Sequence, residues 1–101
     1  MSVTVVIVTS KPSNVKFYGQ QSAEYRESSR AYDAWVESLP GFISHIREET
    51  DENTRTYTAV WESIEDYANY FEQRRFQPDQ HRRKEYNALN NITSITTESI
   101  T

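Results

Sequence analysis

Five side chains suited to proton transfer or aromatic contact fall in the middle of the chain: His45, Tyr57, Trp61, Tyr67 and His81. Tyr57 and Trp61 are two steps of a two-residue repeat apart, with Ala59 between them, so on a strand they share one face. Tyr67 follows with Ile64, Ala68 and Phe71 at the three- and four-residue steps of a helix. An indole at a strand end and a phenol on the adjoining helix then face one space between sheet and helix. In such a space an imidazole takes up a proton near neutral pH, and a phenol hydrogen-bonds a developing oxyanion. The set reads as Trp61, Tyr67 and His81 in catalytic positions, with Tyr57, His45, Trp35 and Phe71 against the substrate. The chemistry such residue types suit is proton transfer and hydrogen bonding to a developing negative charge.

Each of these residues also has a structural reading. Trp35 and Trp61 are large aromatics of the kind that fill cores, and Tyr57 and Tyr67 can do the same with their hydroxyls paired. His45, alternating with Ile43 and Arg47, is equally a paired or solvated strand histidine. His81, among Gln80, Arg82, Arg83 and Lys84, reads as a surface residue. Other chemistries lack their residues. There is no cysteine, hence no disulfide, thiolate nucleophile or cysteine-based metal site. A phosphate-binding glycine loop, a HExxH zinc motif and a nucleophile elbow are all missing. No metal site is expected, and with only Gly19 and Gly41 dinucleotide binding is not expected either.

The elements that must position these residues can be taken in order. Val3 to Thr9 is a nearly continuous β-branched run, suited to a strand covered on both faces. Ser10 to Gly19, with Pro12 and Asn14, is a loop whose Val15, Lys16, Phe17 and Tyr18 either extend a strand or fold over a pocket mouth. A helix is expected from about Gln20 to Leu39, with Tyr25, Ser28, Tyr32, Trp35, Val36 and Leu39 as its stripe. It is ended by Pro40 and Gly41. Phe42 to Glu49 reads as a strand with Phe42, Ser44 and Ile46 on one face and Ile43, His45 and Arg47 on the other. Residues Asp51 to Asn53 turn the chain into a third strand from Thr54. Ser63 is placed as the N-cap of the second helix, with Asp66 reaching back as in a capping box. That helix breaks before Pro78, restarts with it in the first turn, and runs to about Leu89. Ile92 to Ile100 is the last strand.

The order β-α-β-β-α-β is the ferredoxin-like α+β plan, with a four-stranded antiparallel sheet and helices on one face. The chain is expected to form a single domain over residues 1–101. Hydrophobic residues are 36% and charged residues 26%, so the core is thin and aromatic, and a second copy covering the free sheet face would supply what it lacks. A homodimer is therefore expected. The net charge of −4 speaks against nucleic acid. Arg74, Arg75, Arg82, Arg83 and Lys84 form a basic cluster, read here as a solvated helix face because no aromatic platform accompanies it. The N-terminus has neither a basic flank nor a long apolar run, so a cytoplasmic protein without a membrane contact is expected.

Trp35, the segment Leu39-Pro40-Gly41-Phe42-Ile43-Ser44, and Trp61-Glu62-Ser63 with Tyr67 resemble the antibiotic biosynthesis monooxygenase family, above all its actinorhodin-type quinone-forming branch. The resemblance implies a dimeric α+β barrel, each subunit keeping a pocket between sheet and helices. It further implies oxidation of an anthrone-like polyphenol by O₂ without flavin, haem or metal. The family's pocket tryptophan falls on Trp61 and its pocket tyrosine on Tyr67. Its pocket asparagine falls on Tyr57, and its pocket arginine on His81, with Arg82 and Arg83 following. A haem-degrading branch of the superfamily places its iron-ligating histidine on Gln80 and its tryptophan on Tyr70. His81 comes one residue late for that role, about 100° around a helix. Three functions follow as alternatives: a cofactor-independent monooxygenase, a haem-binding or haem-degrading one, and a dimeric ligand-binding or structural protein.

Overall fold

A computed structural model describes residues 1–100; Thr101, the last residue of the expected domain, lies outside them. Four strands, β1 (Val3–Ser10), β2 (Phe42–Asp51), β3 (Thr54–Trp61) and β4 (Thr93–Ile100), form one sheet in the order β2-β3-β1-β4. All neighbours are antiparallel. One face carries α1 (Ala23–Glu37), α2 (Ile64–Gln73) and α3 (Pro78–Leu89). This is the expected ferredoxin-like α+β arrangement. No helix among the described residues is long and apolar enough to cross a membrane.

Register decides which side chains meet the helices. β1 pairs Val3 with Trp61, Val5 with Ala59 and Ile7 with Tyr57. Residues directly opposite share a face, and Val3, Val5, Ala59 and Trp61 are all buried. The face carrying Tyr57, Ala59 and Trp61 is thus the one under the helices. The expected alternation in β2 is broken. A bulge between Phe42 and Ser44 places Phe42 opposite Trp61, while His45 lies opposite Ala59 and Arg47 opposite Tyr57. The extra residue shifts the side-chain parity of the strand. Phe42 therefore joins His45 and Arg47, its ring edge-on to both His45 and Trp61.

The first helix begins later than its apolar stripe suggests. Ser22 is its N-cap, its hydroxyl accepting the Tyr25 N–H at 3.4 Å. Residues Tyr18–Gln20 form a separate short 3₁₀ turn, with the Phe17 N–H donating to the Gln20 side chain. At the second helix Ser63 caps as expected, accepting the Asp66 N–H at 3.1 Å. The Asp66 carboxylate returns to the Ser63 hydroxyl at 2.8 Å. Gly41 is required here. Its φ is 79°, and a Cβ would run into the Asp66 carboxylate. After α2, residues Arg74–Phe76 form a 3₁₀ turn, and Pro78 starts α3 at its first position. Asn91, at φ 56°, ends α3 in the left-handed region, and Ile92 turns inward just ahead of β4.

The core is small. Val3, Val5, Val36, Ala59, Trp61 and Tyr67 form it, with Trp35, Leu39, Phe42 and Tyr70 packed around them. Ser28, an outlier in the apolar stripe of α1, donates to the buried Asp79 carboxylate at 2.6 Å and ties α1 to α3.

Candidate functional site

A cleft of about 490 Å³ lies between sheet and helices, a size suited to a small molecule. Ile7, Thr9, Arg47, Arg55 and Tyr57 form its floor towards β3 and β2, continued by Ser94 and Thr96 of β4. Its roof is Tyr32 of α1, Tyr70 of α2, Arg74 just beyond it, and Gln80, Arg83, Lys84 and Asn87 of α3. Phe17 and Tyr18, from the loop after β1, close it together with Ile92. Of the two readings open for that loop, the structure takes the fold over the pocket.

Tyr57 is the cleft residue with a built hydrogen-bond line behind it. Its hydroxyl lies 3.0 Å from His45 Nδ1, and His45 Nε2 lies 2.9 Å from a Glu37 carboxylate oxygen. The carboxylate accepts only, so it fixes the neutral imidazole as the Nε2–H tautomer and leaves Nδ1 to accept the Tyr57 O–H. The His45 side chain is 14% exposed and held between the edges of Phe42 and Tyr57. Arg47, paired with both Asp33 oxygens at 2.7 Å, sets its guanidinium 5.0 Å from the centre of the Tyr57 ring. Burial raises the Tyr57 pKa; Tyr70 adds to the effect and Arg47 opposes it. Tyr57 thus keeps its proton through the neutral range.

Tyr32 and Tyr70 form a second polar pair, their hydroxyls 2.8 Å apart. One donates to the other, so the pair retains one O–H to offer a ligand. Burial and then Tyr70 raise the pKa of Tyr32, which keeps this donor protonated too. Tyr70 is held by Trp61, which stacks on it at 5.2 Å, and flanked by Trp35 at 6.0 Å.

Trp61 and Tyr67 do meet, their rings 6.5 Å apart, but in the core rather than on the cleft wall. Trp61 is 1% exposed, behind Tyr70. Tyr67 turns towards β4, where burial and the Glu98 carboxylate push its pKa up to about 12. Trp35 lies beside Tyr32 and Tyr70 as backing, and Phe71 is half exposed on α2 with Arg74 stacked on it at 4.0 Å. His81 stands outside the cleft, its Nε2 bonded to the Arg75 carbonyl at 2.5 Å across the corner before α3. The preceding residue, Gln80, faces the cleft instead. The helical offset expected for His81 is therefore real. Among the described residues, no group of three or more His, Cys, Asp or Glu side chains is placed to hold a metal ion.

The basic cluster divides, which corrects its reading as one solvated face. Gln80, Arg83, Lys84 and Asn87 repeat at three- and four-residue steps and bring two of its cations to the cleft, where Arg74 joins them. Arg75 and Arg82 point elsewhere, one paired with Glu72 and the other over the Tyr25 ring. Among the cleft residues that sequence reasoning did not place in the site are Tyr32, Tyr70, Arg47, Arg55 and Arg74. Arg47 had a usable signal, since it is two residues from His45 on the same strand face. Tyr32 had none beyond its helix stripe, and Tyr70 lay outside the stripe of its helix.

No protein-family model matches the chain, and no curated protein sequence does. Solved structures are similar to it in fold. A cofactor-independent oxygenase from Streptomyces nogalater, SnoaB, superposes with a TM-score of 0.65 at 19% identity, over 99% of this chain and 92% of that one. A candidate antibiotic biosynthesis monooxygenase from Deinococcus radiodurans gives 0.68 at 12% identity, over 98% and 91%. The ActVA-Orf6 monooxygenase of Streptomyces coelicolor, solved with the ligand nanaomycin D, gives 0.50 at 20%, over 97% and 88%. The chain thus has the fold of the antibiotic biosynthesis monooxygenases, in the plan its sequence resembles.

Proposed function

We propose that this protein is a cofactor-independent monooxygenase of small polyphenolic substrates, with Tyr57 as the group that accepts the substrate's proton. The observation that carries this reading is the line from the cleft through Tyr57 and His45 to Glu37. A substrate hydroxyl against the Tyr57 oxygen gives it a proton, while the Tyr57 O–H proton passes to His45 Nδ1. The Glu37 carboxylate then stabilises the imidazolium, as an orienting acid does for a general base. The spare O–H of the Tyr32–Tyr70 pair donates to the substrate oxyanion. The electron-rich anion reacts with O₂ at a ring carbon, forming a C–O bond, and the imidazolium proton returns to give a hydroperoxide. Loss of water breaks the O–O bond and leaves a carbonyl; with the ionising hydroxyl being the enol of an anthrone, CH₂ of the keto form and O₂ become C=O and H₂O. The electrons come from the substrate, so no prosthetic group enters the sequence. The fold shared with known oxygenases supports the reading without fixing it, since fold alone does not specify function.

A haem reading draws less support, because Gln80 and not His81 faces the cleft. The direct test is O₂ consumption on a dihydroxyanthrone, with no metal or flavin added, followed by product analysis for the quinone. Stoichiometric O₂ uptake and quinone are expected. Binding without uptake across a panel of such substrates would leave a ligand-binding protein in its place.

The second part of the proposal is the homodimer. The sheet face away from the helices carries Val6, Val8 and Val60 with Thr56, Thr58 and Thr97, and leaves Ile46 59% and Ile95 72% exposed. Among the described residues its ionisable side chains are Glu48 and, at the end of β2 opposite Thr54, Asp51, in a chain whose residues are 26% charged. A face poor in charge on all four strands suits a second copy of itself across a two-fold axis. Sedimentation at micromolar concentration is expected to give about twice the chain mass. A well-folded monomer under those conditions would remove the two-sheet barrel.

A further inference from the structure

The loop of residues 11–21, folded over one side of the cleft, is fastened unlike the rest of the protein. Its two ends are fixed. The Lys11 N–H donates to the Asn53 carbonyl at 2.9 Å, and Ser22 caps α1. Between them the backbone bonds to the loop itself, Val15 N–H to the Pro12 carbonyl and Gln20 N–H to the Phe17 carbonyl. Among the described residues, one hydrogen bond ties the backbone of 12–21 to the rest of the fold. The Tyr86 O–H donates to the Lys16 carbonyl at 2.6 Å.

Side chains do the remaining holding. Phe17 lies between Arg55, 4.3 Å from its ring centre, and Lys11, 5.4 Å from it. The Tyr18 ring is edge-on to Tyr25 and Tyr86, with the Arg83 guanidinium 4.8 Å from its centre. Both rings are buried. The Tyr18 hydroxyl is buried with them and has no hydrogen-bond partner among the described residues. Burial and then Asp79 raise its pKa, so it stays a donor. The Asp79 oxygens accept instead from Ser28 at 2.6 Å and Arg83 at 3.4 Å. A buried hydroxyl left unpaired destabilises the closed loop, and opening returns it to water. A segment with so few backbone bonds to its surroundings opens on its own, below the free energy of global unfolding.

We infer that residues 11–21 are a strap that lifts as a unit and gates the cleft, with Phe17 and Tyr18 as its plug and the bond from Tyr86 to Lys16 as its clasp. Hinged at Lys11 and Ser22, it uncovers the side of the cleft that the two rings close. This holds whether or not the cleft carries out an oxygenation.

Trypsin reads the opening, because the carbonyl of the Lys16–Phe17 bond is the one that Tyr86 holds. In brief digests of the full chain the first cut is expected after Lys16, at a rate that follows the open population. Two tyrosine-to-phenylalanine changes should move that rate in opposite directions. Tyr18→Phe removes the unpaired hydroxyl and keeps the ring, so the cut, and hydrogen exchange of the Phe17, Gln20 and Gln21 amides, should slow by about 5- to 100-fold. Tyr86→Phe removes the clasp and should speed both by about 5-fold. Amides of β1 and β3 should keep their protection in all three proteins, which separates strap opening from a damaged fold. Association of the neutral fluorescent probe 9-anthracenemethanol, followed by stopped flow, should slow in Tyr18→Phe and quicken in Tyr86→Phe. Strap amides that exchange only together with β1 and β3, a first cut elsewhere, or an unchanged or faster cut in Tyr18→Phe would overturn the strap. Probe association that is absent, or equal in all three proteins, would overturn the gate.

Discussion

Replacing Tyr57 by phenylalanine is expected to lower turnover of a dihydroxyanthrone by about 10²–10⁴-fold, the usual effect of losing a positioned acid or base. Packing should survive the change. The ring keeps its contact with His45 and its place beneath Arg47, and His45 keeps its bond to Glu37. The drop should therefore appear in kcat more than in KM, with little shift of the melting temperature. His45→Gln should cost a similar factor, and the double variant little more than either alone, because residues acting as one unit are not additive. Tyr67→Phe is the matching control. Its hydroxyl lies towards Glu98 and outside the cleft, so turnover should stay within a few-fold of the wild type. A Tyr57→Phe enzyme as fast as the wild type would take Tyr57 out of the mechanism. A large loss in Tyr67→Phe would move the chemistry to the other tyrosine.

Trp61→Ala is expected to be the most damaging single change to the fold. The side chain is 1% exposed and touches Phe42, Tyr67 and Tyr70, three of the aromatics that make up much of a small core. Truncating a buried tryptophan costs about 3–5 kcal/mol, against a total stability of roughly 5–15 kcal/mol for a domain. At about 4–8 °C per kcal/mol for a chain of this size, the melting temperature should fall by on the order of 20 °C. Circular dichroism melts check it. A loss below about 1 kcal/mol would show that the indole is not the centre of this core. Trp61→Phe separates the structural role from a chemical one. If the indole only holds Tyr70 in place, the phenylalanine variant should melt lower yet keep most of its turnover.

What was legible in the sequence was local. The β-branched run of β1, the stop of the first helix at Pro40 and Gly41, the Ser63 cap and the break before Pro78 each follow from propensities acting over a few residues. The element order then leaves few topologies, and the face carrying Tyr57, Ala59 and Trp61 follows from a repeat of two. Even here a single bulge defeated the periodicity, since one extra residue at Phe42 reverses the parity of the strand start.

The site depended on distances that no local rule carries. Tyr32 and Tyr70 are 38 positions apart, and Ser28 and Asp79 are 51. Glu37 reaches His45 only because α1 returns across β2 at that height. Which aromatic becomes core and which becomes cleft wall turns on a few ångströms of packing: Trp61 sits behind Tyr70, not beside it. The basic cluster divides because a helix turns successive residues by about 100°, and only the docking of α3 fixes which turn faces inward. The sequence by itself determined the elements, their order and the stock of tyrosines, histidines and arginines. Tertiary structure alone decided that Tyr57, and not Tyr67, meets the cleft with an imidazole and a carboxylate behind it, because that choice is made by how β2 pairs with β3 and α1 packs across β2, not by the propensity of any one segment.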